Sequence, residues 1–134
     1  MSDAVDEAAE HRRPHPTNLA APYLELDLER ELEQFRAEPE WKSGQNARTL
    51  VKFDDFRIVL TALKPHEKIP EHQASGRVSI HTVRGQVTVH ALGRTFELPV
   101  GKVLALDRGV RHDVEAGDQE SAILLTVAWP VNRT

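Results

Sequence analysis

GQVTVHALGRTFELPVGKVLALDRGVRHDVEAG, residues 85–117, is the stretch on which the fold turns, because Gly85, Gly93, Gly101, Gly109 and Gly117 recur in it every eight residues. Each interval has room for one short strand and one tight turn, and glycine takes at no steric cost the positive φ that such turns use. Between the glycines stand β-branched and alternating residues such as Val87-Thr88-Val89. That cadence predicts a β-meander or barrel. A solenoid is excluded, since the residues between the glycines do not repeat and the period is shorter than solenoid repeats use.

The same texture runs outward from this core. Arg57-Ile58-Val59-Leu60-Thr61 and Ile123-Leu124-Leu125-Thr126-Val127 read as strands, so the β region extends from Arg48 to Trp129. Upstream, Leu24, Leu28, Leu32 and Phe35 are spaced to line one face of a helix, with Glu29, Glu31, Glu33 and Arg36 elsewhere. Asp27 is placed to cap it, and Pro39 turns Glu38 away from helical geometry and ends it. The polar face is mostly acidic, so packing on the outside of a sheet is expected in preference to a membrane surface. Residues 1–22 hold four acidic and two Arg side chains with almost no bulky apolar residue, and are expected to be a disordered tail. His11 and His15 within it read as solvated polar residues. The division expected is therefore a tail over 1–22, a helix and linker over 23–47, and one barrel domain over 48–130.

Composition narrows the function classes. A chain of 134 residues suits one domain, and aromatics at 5% leave the core to Val, Leu, Ile and Ala. A net charge of −4 provides no basic field for nucleic acid or an anionic membrane, so neither partner is expected. With no Cys there is no disulfide, thiolate metal site or cysteine nucleophile. No apolar run approaches a membrane span or a secretory signal, and the expected location is the cytoplasm. No Gly-x-Ser-x-Gly elbow, P-loop, His-Glu-x-x-His helix or Gly-x-Gly-x-x-Gly loop occurs.

Between residues 48 and 130 the chain resembles the cupin family, whose first motif sets two His and a Glu between glycines, and whose second sets a Pro, a Gly and a His before an Asn. Gly85 matches the closing glycine of the first motif and His72 its first His. Ala74 stands at the second His, Val78 at the Glu and His66 at the opening glycine. In the second motif Gly101, Gly109 and His112 match, while Asp107 and Ala116 replace the Pro and the Asn. The resemblance implies an all-β double-stranded β-helix, or jelly-roll barrel, here with one N-terminal helix. In typical cupins three His and the Glu converge on a divalent Fe, Mn, Ni, Zn or Cu ion. Half of that set is missing here.

The resemblance thus points to His72 and His112 as the surviving polar positions of an interior site, with Ala74 and Val78 as an apolar wall. The leading expectation is a small single-domain cupin that binds a small molecule in the barrel. The alternative is a metal-dependent oxygenase, isomerase or lyase in which His72 and His112, with water or substrate, hold a divalent transition metal. Metal-free sugar epimerases of similar fold pair a His base with a Tyr acid, but the only tyrosine, Tyr23, lies outside the barrel segment. Alternation along Val78–Val83 places Val78, Ile80 and Thr82 inward and Ser79, His81 and Val83 outward, so His81 is not a replacement ligand. His66 reads as a turn residue and His90 as an outward strand residue. Glu71 and Asp113 point away from the pocket as solvated carboxylates. Trp41 and Trp129 are expected to seal a barrel end or a subunit interface. The resemblance also implies a homodimer, to which exposed Leu50 and Val51 could add a strand.

Overall fold

The computed structural model describes residues 21–130; the predicted tail, apart from Ala21 and Pro22, lies outside them, as do His11 and His15. Among the described residues one α-helix, α1 (Leu28–Arg36), and a 3-10 turn (Pro39–Ser43) precede nine strands. These are β1 (Gln45–Phe53), β2 (Phe56–Leu63), β3 (Lys68–His72), β4 (Arg77–Arg84), β5 (Gln86–Ala91), β6 (Arg94–Pro99), β7 (Val103–Leu106), β8 (His112–Ala116) and β9 (Ser121–Ala128). They form a five-stranded sheet in the order β1-β2-β9-β4-β7 and a four-stranded sheet in the order β3-β8-β5-β6, and every recorded pairing is antiparallel. Beyond β2 the chain passes repeatedly from one sheet to the other, which is the connectivity of a jelly roll. The first strand begins at Gln45, inside the segment expected to be linker.

Period-two alternation builds the core. Val59, Ile80, Ile123, Leu125 and Val127 from the larger sheet meet Ile69, Val87, Val89, Leu98 and Val114 from the smaller one in a single buried cluster. Val78, Ile80 and Thr82 are buried while Ser79, His81 and Val83 are only partly so, the alternation expected for β4. Gly85 sits at the corner where the chain leaves β4 for β5. Its φ is +68°, and a Cβ there would collide with the Ser121 hydroxyl. That hydroxyl accepts from Gln86 N (3.1 Å) and lies 3.0 Å from Gln86 O, so the corner is closed too tightly for a side chain. Gly117 is the exception in the glycine series, since its φ is not positive.

Helix α1 covers part of the outer face of the larger sheet. Leu32 and Phe35 pack with Leu50, Leu60, Ala62 and Ala122, each large side chain contributing roughly 1.5–3 kcal/mol by burial. Asp27 caps the helix by accepting from Arg30 N at 3.1 Å, as expected, and Glu38 is extended immediately before Pro39. Leu24 precedes the helix and is exposed, so the expected apolar stripe begins one turn later, at Leu28. From β1, Arg48 reaches under the helix to Glu31 (2.6 Å), Glu38 (2.9 Å) and Gln34 (3.1 Å). The buried Asn46 donates to Phe35 O, which also accepts from Glu38 N, and to Glu38 Oε1, tying β1 to the helix end. These contacts remove Leu50 and Val51 from any role as a spare exposed strand. Both are buried within β1, where a register irregularity lies between Thr49 and Val51.

One turn breaks its own rule. The β5–β6 hairpin is closed by Leu92 and Gly93, both at positive φ (56° and 68°). Such two-residue turns favour Asn, Asp or Gly at the first place, and a leucine there costs about 1–2 kcal/mol. Its side chain is 70% exposed, so burial returns nothing for that cost.

Candidate functional site

His72 and His112 meet because β3 and β8 are neighbours in register, with the two residues directly opposite each other. The β3 ladder is irregular between Ile69 and His72, a segment that holds Pro70, which has no N–H to give to a ladder. That slip lets Ile69 and His72, three positions apart, both be buried. In β8 strict alternation buries His112, Val114 and Ala116 and turns Asp113 and Glu115 outward.

The rings lie with centroids 4.3 Å apart at an interplanar angle of 59°, and their residues are only 8% and 2% exposed. His72 Nδ1 is 2.9 Å from Pro70 O, and His112 Nδ1 is 3.0 Å from Val110 O. A carbonyl oxygen only accepts, so in each contact Nδ1 carries the proton and donates it. In a neutral ring held this way Nε2 is the acceptor nitrogen. The local sequence thus orients both histidine rings through a carbonyl two residues upstream.

Ala74 and Val78 are buried members of the inter-sheet apolar cluster. Ala74 O accepts from Gly109 N at 2.8 Å, which ties the segment after β3 to the turn before β8. The interior is not uniformly apolar. The hydroxyls of Thr49, Thr61 and Thr82, on the larger sheet, are buried and have no hydrogen-bond partner among the described residues. Thr61 and Thr82 flank Ile123 in direct register. By the alternation that turns Ala47, Val59 and Ile80 inward, all three hydroxyls belong to the inner face. A polar group entering the barrel would find donors and acceptors there. The unpaired hydroxyls escaped sequence reasoning because inward Thr is ordinary in a strand and only the surrounding contacts show it unpartnered.

The remaining histidines divide as follows. His66 lies in a turn at φ 64° with its Nε2 3.3 Å from Asp118, and His81 is on the outer face of β4. His90 is half-exposed, yet it is not alone, for its Nδ1 is 2.7 Å from Asp113 Oδ1. Asp113 is therefore not the solvated carboxylate expected. Its side chain is 16% exposed and also lies 3.6 Å from Lys68 Nζ. Burial pushes its pKa up, but the hydrogen bond and charge of His90, with the charge of Lys68, outweigh this and hold it below the usual carboxylate value. Glu71 is exposed and paired with Arg111 at 3.2 Å. Trp129 donates from Nε1 to Ser75 Oγ at 2.7 Å beneath the Arg57 guanidinium, and Trp41 packs beside the helix cluster.

Solved structures resemble this arrangement over most of the described chain. A conserved protein of unknown function from Streptococcus pyogenes matches with a TM-score of 0.66 at 21% identity, covering 90% of this chain and all (100%) of that one. A cupin superfamily protein from Desulfitobacterium hafniense matches at 0.61 with 16% identity, over 64% of this chain and 78% of its own. The fold is the cupin fold. The cupin domain of an XRE-family transcriptional regulator from Enterobacter cloacae also matches, at 0.59 and 14% identity, over 66% of this chain and 99% of that one. No family profile and no curated protein matches the sequence. In the cupin frame His72 and His112 come from the two different motifs, and the barrel sets them side by side. No helix among the described residues is long and apolar enough to cross a membrane.

Proposed function

We propose that this cupin barrel is a binding module for a small, partly apolar molecule that presents a hydrogen-bond donor to His72 and His112. The observation that carries the reading is the buried pair of rings, each held at Nδ1 by its own backbone. With both Nδ1 nitrogens held by backbone carbonyls, two imidazoles stand side by side as polar groups in a buried, largely apolar place, and a hydrogen-bonding group on the bound molecule is what would match them. Ala74 and Val78, where metal-binding cupins carry His and Glu, add apolar surface instead. A hydroxyl, amide or ammonium group on an otherwise apolar body fits that chemistry.

The cupin fold also implies a resident metal. A histidine whose Nδ1 is held by a carbonyl is oriented as a metal ligand would be. A catalytic centre, however, uses about three protein ligands. No group of three or more His, Cys, Asp or Glu able to hold an ion occurs among the described residues. The described residues do not fit such a centre, and no reaction step is derived through it.

The test is elemental analysis of purified, dialysed protein alongside NMR of the imidazole resonances during titration with donor-bearing fragments. Expected are substoichiometric metal and saturable shifts of the His72 and His112 rings that vanish in His72→Gln. One equivalent of tightly held transition metal that is lost in His72→Ala would reject the reading.

A further inference from the structure

The barrel exterior carries a second group of polar side chains that the interior site does not use. On the outer face of the four-stranded sheet, a cleft of ≈ 290 Å³ is lined by His90, Leu92, Arg94, Arg111, Asp113 and Glu71, among others. We propose that this cleft binds the anionic oxygen headgroup of a small amphiphile, with Arg94 and Arg111 meeting the headgroup and Leu92 covering its apolar part.

The chemistry of each residue points the same way. Asp113 remains a carboxylate between His90 and Lys68, so its charge is already answered and is little available to repel an anion. It also holds His90 through Nδ1 at 2.7 Å, which fixes the imidazole in the wall of the cleft. Arg94 has no carboxylate partner among the described residues, and its guanidinium lies only against the Phe96 ring, 5.7 Å from the centroid. Arg111 is held by Glu71, but both side chains are more than half exposed, so the pair is readily exchanged for another oxyanion. A planar guanidinium is the side chain best suited to grip such a group with two parallel bonds.

Leu92 is the independent observation. The turn that it opens asks for Asn, Asp or Gly, and folding gains nothing from a large apolar side chain left in water at positive φ. Strain retained at a non-glycine residue beside a cleft is a mark of a contact surface. It supplies the apolar half of an amphiphile site whose other half is cationic.

The experiment is a two-dimensional amide NMR titration of the full chain with hexanoate and with hexyl phosphate. Acetate and inorganic phosphate serve as headgroup-only probes and 1-hexanol as the tail-only probe. Expected is saturable movement of the amides of residues 90–95 and 111–113 with one or both amphiphiles, the better headgroup telling carboxylate from phosphate. Binding should be at least fivefold weaker for the corresponding headgroup and for hexanol. Arg94→Gln and Leu92→Asn should each weaken binding at least threefold. Leu92→Asn should do so with a Tm no lower than that of the parent, since it relieves the turn. Absence of saturable shifts, equal binding of acetate and hexanoate, or indifference to both substitutions would overturn the proposal.

Discussion

Two histidine pairs occupy adjacent rows of one sheet and share almost nothing else. In one row His72, His112 and Ala91 lie side by side across β3, β8 and β5; one residue along β5 and β8, His90 faces Asp113. The pleat sends the first row inward and the second outward. Inside, both imidazoles are buried and each is held at Nδ1 by its own backbone, in an apolar core where an unpaired charge is costly. Outside, the imidazole is half-exposed and meets a carboxylate and a nearby ammonium, where charge is tolerated. Residue type says little in such a case. The face decides whether a histidine is an acceptor for a buried donor or a member of a charged surface network.

The sharpest way to break this contrast is to exchange charge tolerance between faces. His112→Asp places a carboxylate at a position 2% exposed and should cost roughly 3–5 kcal/mol in urea unfolding. A loss below about 1 kcal/mol would show that the inner row is wetter than its burial implies. Asp113→Asn on the outer row removes a carboxylate held by the His90 hydrogen bond and the Lys68 ammonium, only partly shielded from water. It should cost about 1 kcal/mol at pH 7.

The outer pair also makes a prediction about acid. Because the pKa of Asp113 is lower in the folded chain than its ordinary value, its contribution is complete above that value, near 3.9, and fades as pH falls through the folded one. The stability gap between parent and Asp113→Asn should therefore be present at pH 6 and shrink toward pH 3. A gap of the same size at both pH values would assign the loss to packing instead.

How much of this could be read from the chain differs between the same two rows. The glycine cadence located the strands and corners from β4 onward because each turn needs local backbone freedom, a property written at single positions such as Gly85. The alternation of Val78 to Val83 placed His81 outside for the same local reason. That His72 and His112 would be neighbours was legible only through the resemblance of two separate motifs, since forty residues intervene. The His90–Asp113 pair was not legible. Local alternation turns both outward, but only the pairing of β5 with β8, elements separated by two other strands, brings them together. Leu50 and Val51 failed as exposed residues for a similar reason. Their burial depends on a helix and a sheet that pack from either side of β1, and tertiary packing overrides what a short apolar pair suggests alone.

The smallest predicted effect separates stability from binding on the outer row. Glu71 and Arg111 are both largely in water, so Glu71→Gln should change folding stability by less than about 0.5 kcal/mol. The same substitution removes the carboxylate that competes for the Arg111 guanidinium beside His90. If Arg111 exchanges Glu71 for an incoming headgroup, hexanoate or hexyl phosphate should bind about two- to threefold more tightly to Glu71→Gln, a gain of roughly 0.5 kcal/mol. Raising salt should erode that gain, because screening weakens exposed charge pairs over a few ångströms as well as over longer distances. Unchanged affinity would mean that Arg111 does not reach the headgroup, and would leave the inner and outer histidines differing in charge but not in what each recruits.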